Sequence, residues 1–94
     1  MAKKLVRDKI PEMYSGQRHY AADSDEYHRE LIKKLQEEVD QFKQDENIVE
    51  LADIIEVVHA ISEFKGTPIE ELEKIRNDKV EKRGAFKKRI IYEK

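Results

Sequence analysis

The chain has 94 residues, enough for one small domain. Apolar residues make up 38% and charged residues 43%, against the usual ~45–50% and ~25%. The 19 basic and 21 acidic residues nearly cancel, to a net charge of −2, which argues against a polybasic nucleic-acid binder and against an acidic disordered tail. The lack of cysteine excludes disulfides and thiolate metal sites. No apolar run approaches the ~18 residues of a membrane span. The opening MAKKLVRDKI is basic but lacks the apolar stretch of a signal peptide, so the cytoplasm is the expected address.

Residues 1–22 read as an N-terminal arm. Lys4–Ile10 has no clear period, and Pro11 is suited to open a short turn or helix. The first long helix is predicted from Asp23, with Asp23 or Ser24 as its cap. Tyr27, Leu31, Leu35, Val39 and Phe42 then recur at helical spacing. Asn47 is suited to end this helix and cap the next.

The second helix is predicted over residues 48–65. It is apolar around most of its circumference, which suggests a central place in a bundle. Gly66 reads as its left-handed stop. Thr67-Pro68-Ile69-Glu70 reads as N-cap, proline at the first position and capping-box glutamate of a third helix running to about Arg83. Residues 84–94 form a short basic tail. The expected fold is all-α: one helical domain with three main helices over residues 23–83. A core this thin is expected to be completed by a second subunit.

The chemistry-bearing residues lie on the first two long helices. On a helical wheel with Glu50 at zero, Val57 falls near ~340°, Ile61 near ~20° and Ile54 near ~40°. Asp53 falls near ~300°, between Ala60 and Phe64. Glu50 and Asp53 thus border the apolar face, while His59, Glu56 and Glu63 occupy the arc assigned to water. Two carboxylates beside a buried face need a cation, a proton or a partner. Glu37, Glu38 and Gln41 lie along one flank of the preceding helix, and an antiparallel turn at Asn47 would bring Glu38 towards Glu50 and Asp53. All-oxygen ligands suit Mg²⁺ or Mn²⁺. Glu50 as a capping-box residue, Asp53 as a helix-start acid and solvated Glu37 and Glu38 are the simpler alternative.

The pair of motifs Glu37-Glu38-Val39-Asp40-Gln41 and Glu50-Leu51-Ala52-Asp53 resembles the all-α nucleoside triphosphate pyrophosphohydrolases, the MazG-like group that includes phosphoribosyl-ATP pyrophosphohydrolase. The opening KLVRDKIPE (Lys4–Glu12) and the closing KVEKRGAF (Lys79–Phe86) are similar to a small MazG-like subgroup, so the resemblance spans nearly the whole chain. It implies a small helical bundle, generally oligomeric, here a homodimer or homotetramer. It also implies a Mg²⁺-dependent hydrolase that splits a nucleoside triphosphate between the α- and β-phosphates. The implied metal positions are Glu38, Gln41, Glu50 and Asp53. Gln41 departs from the family, which carries an acid there. Glu37 and Glu38 are the implied candidates for holding or deprotonating the attacking water. Arg7, Lys9, Lys79 and Arg83 are candidates for the substrate phosphates, each also readable as a solvated charge or ion pair. A non-catalytic helical module that binds nucleotide or protein, its metal site degenerate at Gln41, is the alternative function. Nucleic-acid binding by the tail ranks last because Glu81 and Glu93 interrupt its basic run.

Overall fold

Four helices in chain order make up the regular structure: α1 (Ile10–Met13), α2 (Ser24–Asp45), α3 (Ile48–Phe64) and α4 (Ile69–Arg83). The computed structural model describes residues 3–14 and 16–93. Met1 and Ala2 of the opening, Ser15 of the arm and Lys94 of the tail lie outside the described residues. Among those residues there is no strand, and no helix is long and apolar enough to cross a membrane.

Local chemistry sets the α2–α3 joint. Asp23 caps α2 by accepting the backbone N–H of Glu26 at 2.9 Å. The helix ends at Glu46, which adopts the left-handed conformation (φ 51°) and donates its N–H to the Phe42 carbonyl. One residue later the Asn47 side chain accepts the N–H of Val49 at 3.0 Å and starts α3. A two-residue joint forces the two helices antiparallel and side by side. They form the principal packing pair, and α4 packs more sparsely on α3.

Gly66 (φ 83°) follows the end of α3 in the conformation that favours glycine. The start of α4 differs from the capping box read at Thr67. The N-cap is Pro68, with no side-chain cap, and the helix begins at Ile69. Thr67 is instead tied back to Ser62. Its N–H donates to the Ser62 carbonyl at 2.9 Å, and the buried Ser62 hydroxyl donates to the Thr67 carbonyl at 2.8 Å. Ser62 thus holds the turn through two hydrogen bonds, and Pro68 supplies its carbonyl to the N–H groups of Glu71 and Leu72.

The core is thin. Leu31 (2% exposed) and Val57 (9%) are the buried apolar residues among those described. As its apolar circumference suggests, α3 is the helix that packs on both α2 and α4, but a single chain does not enclose it. Its Val57 face meets α2, but Ile48 (74% exposed), Leu51, Ala52 and Ile55 (55%) stand open on the opposite side. His59, assigned to water by the wheel, is half-buried. The radius of gyration is 16.7 Å, against about 12 Å for a closed domain of this length.

Candidate functional site

The seam between α2 and α3 carries the acidic residues of both motifs. Glu38 is 13% exposed in its side chain, and its nearest cation is Lys34 at 3.5 Å, one turn earlier on α2. Asp53 and Glu50 are half-buried on α3. The Glu50 carboxyl is held above its ordinary value of 4.5. Burial is the largest cause, followed by the charge and hydrogen bond of Asp45, then the charges of Asp53 and Glu38. Glu50 therefore feels three other carboxylates across the joint.

Asp45 was not singled out by the sequence reading. It lies two turns after Glu38 and one turn after Gln41, so it shares their side of α2. The Gln41 amide, exposed, donates to its carboxylate. The heptad spacing from Glu38 was the available signal.

The N-terminal arm supplies cations to this seam. Arg7 Nη2 donates to Asp53 Oδ1 at 2.7 Å. Lys4 Nζ lies 2.6 Å from Glu37 Oε1, and Lys34 lies 3.5 Å from the other Glu37 oxygen. The hydrogen bond from Lys4 is the main cause holding the Glu37 carboxyl below its ordinary value, and Glu37 raises the Lys4 ammonium in return. Each contact is partly exposed and individually weak in water. Together they fasten an aperiodic segment across both acid-bearing helices.

Beside these ion pairs lies a cleft of about 500 Å³. The arm (Leu5–Asp8), α2 (Tyr27, Leu31, Lys34, Glu38) and α3 (Asp53, Glu56, Val57, Ala60, Glu63, Phe64) form its walls. The volume lies within the ~300–1,000 Å³ of small-molecule sites. Of the candidate residues, Arg7, Glu38 and Asp53 line the cleft, Glu37 adjoins through Lys34, and Glu50 and Gln41 sit towards the α2–α3 joint. Lys9 is exposed at the start of α1, and no residue of α4 lines the cleft, so one chain does not bring Lys9, Lys79 or Arg83 to it. Lys34 is the cation that the sequence reading did not assign.

Oxygen donors from Glu38, Glu50, Asp53, Asp45 and the Gln41 amide match a hard divalent cation, and the charges of Asp45, Asp53 and Glu38 add to burial in raising the Glu50 carboxyl. Among the described residues the carboxylates are not gathered into a coordination cage. Arg7 and Lys34 hold Asp53 and Glu38 instead. No family model matches this chain, nor does any curated protein or solved structure.

Proposed function

We propose that the chain is a Mg²⁺-dependent nucleotide pyrophosphohydrolase of the MazG-like kind, releasing pyrophosphate and a nucleoside monophosphate. The observation that carries this reading is the placement of the half-buried Glu38, Glu50 and Asp53 along one helix seam, where burial and then the charges of Asp45, Asp53 and Glu38 hold Glu50 above its ordinary value. Like charges so placed favour a proton or a cation between them. Two cationic side chains, Arg7 and Lys34, line the adjoining cleft, as an anionic substrate requires.

In this reading Glu38, Glu50 and Asp53 hold the metal, with Mn²⁺ as a substitute, and the Gln41 carbonyl oxygen is a neutral donor. Asp45 contributes the negative charge that glutamine lacks. Mg²⁺ held by these residues would supply charge neutralisation at the phosphates and a lowered pKa for water. Arg7, once it exchanges Asp53 for substrate, holds a phosphate oxygen, and Lys34 supports it. Glu37 orients the attacking water and accepts its proton once Lys4 lets go. In-line transfer then depends mainly on positioning and charge neutralisation.

A second copy of the chain belongs to this reading. The exposed stripe Ile48, Leu51, Ile55 on α3 and the exposed apolar tail residues Phe86, Ile90, Ile91 and Tyr92 call for cover. Docking across such a face is the means by which Lys9, Lys79 and Arg83 of one copy would approach the phosphates held by another. A homodimer or homotetramer working in the cytoplasm is the corresponding assembly.

A second reading keeps binding without turnover. The Asp53–Arg7 ion pair and Gln41 favour it, because both lower the negative charge available to a metal. Pyrophosphate release from a nucleoside triphosphate panel with Mg²⁺ separates the two. The hydrolase reading expects release that falls at least ~100-fold in Asp53→Asn. No release from any nucleotide, with thermal stabilisation by Mg²⁺ plus nucleotide, supports the binding module.

A further inference from the structure

The cleft is longer than phosphate chemistry requires. Its α3 wall runs from Asp53 to Phe64, eleven residues or about 16 Å of helix. The two ends differ in chemistry. Arg7, Lys34, Glu38 and Asp53 make one end charged. Beyond Leu31, Val57 and Ala60 the other end closes on two aromatic rings. Tyr27 of α2 and Phe64 of α3 meet edge to face, with ring centroids 5.4 Å apart. His28 stacks on Phe64 at 5.5 Å and 22°, yet His28 does not line the cleft. Phe64 lines the cleft and keeps 37% of its surface exposed, and an exposed aromatic ring is a stacking surface.

Glu63 adjoins this aromatic end, and Glu56 lies two turns before it on the same wall. Both are exposed, and among the described residues neither forms an ion pair or side-chain hydrogen bond. An ionised carboxylate only accepts hydrogen bonds. A planar ligand placed against Tyr27 and Phe64 is thus favoured when it offers N–H donors at its edge. Amino-bearing nucleobases do so, and carboxylates are known acceptors for the cytosine amino group.

We infer that the Tyr27–Phe64 end of the cleft is a nucleobase site, with Glu63 selecting bases that carry an exocyclic amine over uracil. The assignment rests on the hydrolase reading for its phosphate end, but base binding itself needs neither metal nor phosphate. Base and phosphates would then lie at opposite ends of a single trough roofed by the arm.

The test titrates the full chain with cytidine, uridine and, separately, Mg²⁺ with pyrophosphate, following backbone amides by NMR. Cytidine is expected to move the amides of Tyr27, Glu63 and Phe64, and uridine to bind about fivefold more weakly. Glu63→Gln, an exposed change, is expected to remove that preference. Phe64→Leu keeps an apolar side chain at the seam and is expected to weaken both nucleosides about tenfold without unfolding the protein. If Mg²⁺ and pyrophosphate move the Glu38 and Asp53 amides while neither nucleoside moves Tyr27 and Phe64, the base site is wrong and the hydrolase reading stands. If cytidine binds as described but no triphosphate is cleaved, the hydrolase reading fails and the base site stands. Equal binding of cytidine and uridine, unchanged in Glu63→Gln, overturns the selectivity.

Discussion

The α2–α3 hairpin is strongly acidic and the α4–tail region is net basic, and the two also differ in how they are held. Both helices of the hairpin have side-chain N-caps, and together they contain the buried Leu31 and Val57. The arm is fastened across them by ion pairs to Glu37 and Asp53. By contrast, α4 has no side-chain cap and no buried residue, and the apolar tail beyond it is exposed. Within one chain the hairpin is therefore the better-held part, although the α3 stripe Ile48, Leu51 and Ile55 stands as open as the tail and shares its need for a second copy.

Several substitutions break or sharpen this contrast. The largest effect is expected from Leu31→Ala, which should cost ~2–5 kcal/mol in urea unfolding because it empties the middle of the core. Val80→Ala in α4 should cost far less at low protein concentration, since Val80 is exposed. Equal losses would erase the distinction. Next, Asn47→Ala should cost ~1 kcal/mol by removing the acceptor for the Val49 N–H, whereas Thr67→Ala should leave the start of α4 unchanged because the threonine hydroxyl does not cap it.

Association gives a sharper separation. Ile55→Glu should leave dilute stability nearly unchanged, yet reduce the assembled fraction at high concentration in sedimentation velocity. A wild-type chain that stays monomeric at every concentration would remove the second copy from the account.

The smallest effects are pH-dependent, with opposite signs at two glutamates. Glu37 is lowered in the fold by the Lys4 hydrogen bond, so its contribution to stability is present above the ordinary value of 4.5 and lost as pH falls through the depressed value. Glu50 is raised by burial and then by Asp45, so its ionisation removes stability as pH rises from 4.5 through the raised value. Glu50→Gln should therefore flatten the fall on the alkaline side, and Glu37→Gln should flatten the loss on the acid side. Unfolding curves measured across that range check both signs.

Much of this was legible in the sequence. Asp23 and Asn47 announced the two helix starts because capping is local chemistry, and Gly66 announced the second stop. The wheel also put Glu50 and Asp53 at the edge of the face that meets α2, because helical period alone fixes that angle. Long-range contacts were not legible. The arm has no period, so nothing indicated that Arg7 would reach Asp53 or Lys4 reach Glu37. The start of α4 was read from Thr67 outward, and the competing bonds from Ser62 lie five residues earlier. Periodicity also gave no means of telling an apolar arc covered by the same chain from one left open. Ile48 and Ile55 belong to the second kind. Asp45 was overlooked because its importance depends on Glu50 folding back across the joint.

The central claim is that excess negative charge at the α2–α3 seam is a place for a divalent cation. Its most direct test is calorimetric titration of the full chain with Mg²⁺, repeated on Asp53→Asn and on Arg7→Ala. Saturable binding is expected, lost in Asp53→Asn and tightened in Arg7→Ala, because Arg7 competes for the same carboxylate. Binding that is absent from the wild-type chain, or equally strong in Asp53→Asn, would contradict it.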